Sequence, residues 1–230
     1  MSLQRTARDL CVGVLTTAFL VAGSASGLLP FTWIEIAGFV TGGASVWLLV
    51  REHIWSWPVG IVNSGIYVVV FLRARLFADS GLMLAFVLLG FAGWWCWLHG
   101  RAAGARRPIV HAGLREMVLL AVATAAGTLV LTRYLRSVDD AAPLWDALTT
   151  CLSLAATYLQ ARKALEGWIV WIAADLIYIP LYVAKGLPLT SVLYVIFLTM
   201  CVKGAVDWRA TRRAEEGEDV GLFRVLVTAR

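Results

Sequence analysis

One aspartate inside a long apolar run is the chain's most chemically loaded residue. Asp175 lies seven positions after Trp168, about 10 Å further along a helix that rises 1.5 Å per residue. Trp171 precedes it by four positions, Tyr178 follows by three and Tyr182 by seven, so all share one helical face with it. A carboxylate beside aromatic rings can hold a cationic aromatic ligand by charge attraction and stacking. The competing use is a hydrogen bond or ion pair between packed helices. An ionisable group at membrane depth is costly enough to favour the ligand reading. A second polar stretch, Asn63, Ser64 and Tyr67, interrupts an earlier apolar run. There, ligand contact and interhelical hydrogen bonding weigh evenly.

Other chemistries find no residues to carry them. The sequence has no Walker A, G-x-S-x-G or H-E-x-x-H pattern. His53, His99 and His111 stand near predicted helix ends. Cys11, Cys96, Cys151 and Cys201 sit singly in apolar runs, as small buried residues do. Neither an enzyme, nor a cofactor, nor a metal site is expected.

The elements that position Asp175 must be membrane helices. Of 230 residues, 60% are hydrophobic and 15% charged, with a mean hydropathy of +0.77. Soluble domains run at roughly 45–50% apolar and about 25% charged. The runs are continuous rather than alternating, which specifies helices and not barrel strands. Apolar spans are predicted over 10–28, 33–50, 54–72, 77–98, 116–134, 144–161, 167–184 and 188–206. The net charge of +5 comes largely from scattered arginines, which reads as membrane anchoring and excludes a nucleic-acid partner. Arg5, Arg8, Arg51, the arginines of 99–115, Arg162, Lys163 and the bases from Lys203 onward fall on one side. Arg73, Arg75, Arg133, Arg136 and Lys185 fall on the other. The richer side is cytoplasmic, so an inner-membrane, multi-pass protein with a cytoplasmic C-terminus is expected. Segment 10–28, followed by Gly23-Ser24-Ala25-Ser26-Gly27, fits either an extra helix or a cleaved leader.

The chain also repeats itself. At an offset of 111 positions, Glu35 falls on Asp146, Arg51 on Arg162, Trp57 on Trp168, Tyr67 on Tyr178, Ser80 on Ser191, Gly93 on Gly204 and Trp97 on Trp208. No gap is needed across three helices. One helix, 116–134, separates the copies, which makes them parallel in the membrane. The predicted architecture is an all-α integral membrane bundle of three plus one plus three helices. Its parts are a hydrophobic leader or extra helix (1–32), a first three-helix repeat (33–98), a linker with an inversion helix (99–143), a second repeat (144–208) and a cytoplasmic tail (209–230). Repeat transporters place their substrate near the midplane, where the repeats meet. Trp55, Trp57, Trp94, Trp95, Trp97, Trp168 and Trp208 are expected as an interfacial belt. Arg51 and Arg162 are expected to close helix C-termini, and Glu35, Asp146 and Asp79 to be rim or helix-start charges. Pro58 and Pro180 can loosen their helices.

These residues carry a resemblance. Trp55-Ser56-Trp57-Pro58-Val59-Gly60, Leu76-Phe77-Ala78-Asp79, Gly93-Trp94, Asp146-Ala147, Ala161-Arg162-Lys163, Glu166-Gly167-Trp168-Ile169-Val170-Trp171-Ile172 and Lys185-Gly186-Leu187 resemble the PnuC family of nicotinamide riboside transporters. The resemblance implies a fold similar to the SWEET sugar facilitators, and facilitated passage of a B-vitamin-type molecule without ATP. It further implies a homotrimer and a cytoplasmic kinase that traps the product. The family's Trp-x-x-x-Asn substrate motif maps onto Trp171 and Asp175. Departures are the aspartate itself, Met83 where the family has a glutamine, and Thr157, before Tyr158, where another glutamine is common. The expected substrate-binding residues are Trp171, Asp175, Tyr178, Trp168, Tyr67, Asn63, Trp57, Tyr158 and Tyr182. Nicotinamide riboside is the leading substrate and thiamine the alternative. Both are cations, and Asp175 argues mildly against neutral riboflavin. A non-transporting membrane binding subunit is the more distant alternative.

Overall fold

The computed structural model describes residues 33–73, 77–99, 108–185 and 188–228. Segment 1–32, with Cys11, lies outside the described residues, and the side chains of Glu35 and Asp79 are likewise outside them. Seven helices form within the described residues: α1 (Trp33–Val50), α2 (Ser56–Arg73), α3 (Phe77–His99), α4 (Leu114–Ser137), α5 (Pro143–Ala161), α6 (Glu166–Ala184) and α7 (Pro188–Thr228). The β-structure among them is one isolated bridge, Val110–Ala164.

Ser80–His99, Leu114–Ser137, Glu166–Ala184 and Ser191–Gly217 are long and apolar enough to cross a membrane, and Ile36–Val50 and Ser56–Val70 are shorter apolar helices. Helix α5 belongs to neither group, because it turns polar residues inward. Thr149, Ser153 and Gln160 are all buried on it. The tail expected from 209 is helical here, as α7 continues without a break to Thr228. The i,i+4 pairs Lys203–Asp207 and Arg212–Glu216 support that extension. Pro58 lies in the first turn of α2, where the missing N–H is not needed. Pro180 lies inside α6.

Packing follows the repeat. α2 contacts α1 and α3, and α6 contacts α5 and α7. Across the halves, α1 meets α7 and α3 meets α5, while α4 packs on α5 alone. Local contacts duplicate at the same offset. The Ser80 hydroxyl donates to the Val68 carbonyl at 3.2 Å, and that of Ser191 to Ile179 at 2.9 Å. Helices α1 and α5 end in matching turns. Glu52 N–H donates to Leu49 and His53 N–H to Leu48; Lys163 N–H donates to Gln160 and Ala164 N–H to Leu159, each at 2.9 Å. These are the two hydrogen bonds of a Schellman stop, whose terminal residue must enter the left-handed region. Glycine usually occupies that place, but here φ is 54° at Glu52 and 57° at Lys163.

Those two residues explain why the strain is held. Lys163 Nζ donates to Glu52 Oε2 at 2.7 Å, and the side chains are only 4% and 7% exposed. Equivalent positions of the two halves therefore pair with each other. Around them, Trp57 meets Trp97 edge-on at 5.7 Å and Trp168 meets Trp208 edge-on at 5.3 Å. Trp97 and Trp208 are 6.3 Å apart, and Lys163 Nζ lies 4.7 Å from the Trp97 ring centroid. The Trp97 indole donates to the Gln160 carbonyl and that of Trp208 to the Val50 carbonyl, each reaching into the other half. The belt expectation thus divides. Trp55 and Trp95 are exposed, whereas Trp57, Trp97, Trp168 and Trp208 are buried core. Glycines at 93 and 204 make room for Trp57 and Trp168, since a Cβ there would come within 2.4 and 2.6 Å of the rings.

The linker joins this end of the second half. Val110 exchanges backbone hydrogen bonds with Lys163 and Leu165. Glu166 accepts from Ala112 N–H and pairs with His111, and Glu116 pairs with Arg162. At the opposite end, Asp146 in the first turn of α5 pairs with Lys185 after α6. Arg51 stands over the Trp47 ring at 4.3 Å.

Candidate ligand site

A cavity of about 320 Å³ lies between the halves, lined from α1, α2 and α3 on one side and α5, α6 and α7 on the other. Small residues open it on the α1–α2–α3 side, including Gly42, Ser45, Gly60 and Gly90. Its walls are mainly apolar and aromatic, with a few polar groups, as small-molecule sites usually are.

Asp175 is 1% exposed and lines this cavity. Its Oδ2 has no hydrogen-bond partner, and no ion pair reaches it among the described residues. The neighbouring polar group is the Cys201 thiol of α7. The carboxylate is thus not tied up in an interhelical salt bridge. Trp171, one turn earlier, lines the same space, as do Trp168 and Trp57. The indole N–H groups of Trp57 and Trp168 are buried without partners. Tyr178 completes this wall, its hydroxyl 3.5 Å from Ser153 Oγ. Behind it, Tyr194 lies 4.4 Å from Tyr178 and 5.1 Å from Tyr182, centroid to centroid, and fixes the rings as a stack.

Six of the nine expected residues therefore reach the cavity: Trp57, Asn63, Trp168, Trp171, Asp175 and Tyr178. Asn63 is also structural, because its amide donates to Gly38 O at 2.9 Å and Thr41 Oγ1 at 2.7 Å, tying α2 to α1. Tyr67 packs against Gly38 rather than against the cavity. Tyr182 is in the stack behind Tyr178. Tyr158 is 37% exposed and hydrogen-bonds Arg162. Ser153, Thr157 and Gln160 on α5 and Tyr194 and Cys201 on α7 are cavity residues outside the nine expected, Thr157 having stood out only as a departure from the family. The α5 set was marked by its spacing, i, i+4 and i+7, which is one helical stripe. Gln160 was hidden by its place near the helix end, where a polar residue needs no special account. Cys201 is buried, and Cys96 and Cys151 are half-buried.

Comparison with known proteins is decisive for the family. The model described as "nicotinamide mononucleotide transporter" matches residues 32–210, both repeats and the linker. The chain belongs to this family. Among its relatives, the riboflavin/roseoflavin transporter RibM of Streptomyces davaonensis is 27% identical over 180 residues, spanning 76% of this chain and 84% of RibM. The nicotinamide riboside transporter PnuC of Escherichia coli K12 is 23% identical over 211 residues, spanning 80% and 87%. That of Neisseria mucosa is 26% identical over 202 residues, spanning 82% and 76%. A crystal structure titled as the vitamin B3 transporter PnuC shares the fold, with a TM-score of 0.69, 23% identity, and coverage of 93% of this chain and 99% of that one. The family is one of membrane transporters and not of enzymes.

Proposed function

We propose that the chain is a facilitative transporter of nicotinamide riboside, working by alternating access without ATP. The observation that carries this reading is Asp175. A carboxylate with no counter-ion among the described residues, buried beside Trp171 and Tyr178 in a cavity between two repeats, suits a cationic aromatic nucleoside. The nicotinamide ring of the riboside is such a cation. PnuC relatives named for this substrate support the reading. One half rocks against the other about the cavity, and the tryptophan cluster closes the cytoplasmic end. The C-terminus is cytoplasmic by the arginine distribution. A homotrimer, and a cytoplasmic kinase that removes the free substrate as a phosphate, complete the proposal.

A flavin is the second reading, favoured by the likeness to RibM. Thiamine, also a cation, fits Asp175 as well as nicotinamide riboside does. Calorimetry of the purified protein against all three vitamins decides. Nicotinamide riboside binding that weakens about tenfold or more in Asp175→Ala is expected, from the loss of a buried charge-to-cation contact. Binding that ignores this substitution refutes the assignment of Asp175. Uptake into liposomes without ATP or an ion gradient separates facilitation from binding alone.

A further inference from the structure

Gln160 is the polar side chain of the cavity wall that the packing leaves most incomplete. It is 1% exposed, yet neither Oε1 nor Nε2 has a hydrogen-bond partner among the described residues. A buried primary amide with both its acceptor and its donor unmet is rare, and it is costly in a site shielded from water. The rest of the residue is firmly placed. Its carbonyl accepts from the Trp97 indole and from Lys163 N–H. Its Cγ and Cδ lie against the start of α6, where a Cβ on Gly167 would come within 3.3 Å of both. The position is also unlike its repeat counterpart. The equivalent residue in α1 is Leu49, which lines the same cavity from the other half. The repeat's own fold is thus built with an apolar side chain at this place in the first half.

We propose that Gln160 is a specificity-determining residue, whose side-chain amide pairs with an adjacent donor and acceptor on the ligand, of the kind a primary carboxamide presents. This deepens the function proposed above and rests on it. A planar amide offers one N–H and one C=O side by side, and a carboxamide offers the complementary pair. Trp168 and Trp171 line the cavity with it and provide faces for the ring that bears such a group. Asp175 then senses the ligand's charge, and Gln160 the substituent that charge alone cannot distinguish.

The test separates the two statements. The purified full chain is titrated with nicotinamide riboside and with N-ribosylpyridinium, the same kind of cation without the carboxamide. Wild type is expected to prefer the carboxamide by about tenfold or more, because rejecting it strands both amide atoms of Gln160. Gln160→Leu, which copies the residue at position 49, is expected to bind both ligands alike. Its ligand-free melting temperature should equal or exceed that of wild type, since two unmet polar atoms are removed. Gln160→Met is the near-isosteric second variant and should behave the same. A preference for the carboxamide that survives in both variants overturns the inference and leaves the proposed function standing. So does a wild type that binds both ligands equally. A wild type that does not bind nicotinamide riboside overturns both.

Discussion

Exchanging Glu52 and Lys163 tests whether the two halves are equivalent in three dimensions. Lys163 Nζ and Glu52 Oε2 are 2.7 Å apart with both side chains almost fully buried. Glu52→Lys alone leaves two buried ammonium groups facing each other, and Lys163→Glu two carboxylates. Breaking a buried pair by changing one partner costs roughly 3–5 kcal/mol. For a chain of this size that lowers the melting temperature by roughly 6–20 °C. The double exchange is different. Both residues end a helix in the same left-handed conformation, φ 54° and 57°, at equivalent positions of the repeat. Lysine at 52 and glutamate at 163 therefore meet again with their roles reversed. Most of the loss is expected to return. A deficit of about 1 kcal/mol should remain, because the ammonium 4.7 Å from the Trp97 centroid is replaced there by an anion. The assay is a double-mutant cycle on thermal unfolding in detergent, read by tryptophan fluorescence. A double variant no more stable than the sum of the single losses predicts would refute the argument that these positions are structural equivalents across the interface.

Three further outcomes are expected. Gly93→Ala and Gly204→Ala each drive a Cβ to within 2.4 and 2.6 Å of a buried indole ring, and overpacking of this kind costs about 1–3 kcal/mol; both melting temperatures should fall by similar amounts. Asn63→Ala removes the amide that donates to Gly38 and Thr41. Stability should drop by about 1–3 kcal/mol while ligand affinity in calorimetry changes less than about threefold, the converse of Gln160→Leu. Ser80→Ala and Ser191→Ala should each cost about 0.5–1.5 kcal/mol by thermal unfolding and be additive, since each hydrogen bond lies within its own half.

Helix positions were legible because lipid removes the alternatives. An apolar run must close its own backbone hydrogen bonds, so 33–50 and 77–98 appear as Trp33–Val50 and Phe77–His99. The repeat was legible from residue types rare enough to mark an alignment, and Ser80 and Ser191 indeed make the same bond in each half. The tryptophans were misjudged for a definite reason. A position near a helix end places an indole at the right depth for an interface, but not on a lipid-facing side. Trp55 stands in the turn before α2 and Trp57 in its first turn, which leaves one exposed and the other buried. Gln160 was hidden by the same ambiguity. The carboxylate at 175 was legible because hydrocarbon tolerates few such groups, whereas an amide near a helix end has ready explanations. The roles of Tyr67, Tyr158 and Tyr182 depended on small packing details, such as a glycine at 38, that no spacing rule contains.

The division of labour along the repeat suggests how a two-fold scaffold serves a ligand without two-fold symmetry. Where the halves pack against each other, beside Glu52 and Lys163, the matched residues are the same: Trp97 and Trp208 meet across the interface, backed by Trp57 and Trp168. At two other cavity positions the matched residues differ. Leu49 stands opposite Gln160, and Ser64 opposite Asp175, and all four line the cavity. In both pairs the group proposed to select the ligand stands in the second half, on α5 and α6. A ligand with a charge at one place and a hydrogen-bonding edge at another can satisfy both in one orientation only. In the proposed transport cycle, the first half would then rock past the bound molecule while the contacts from Gln160 and Asp175 persist.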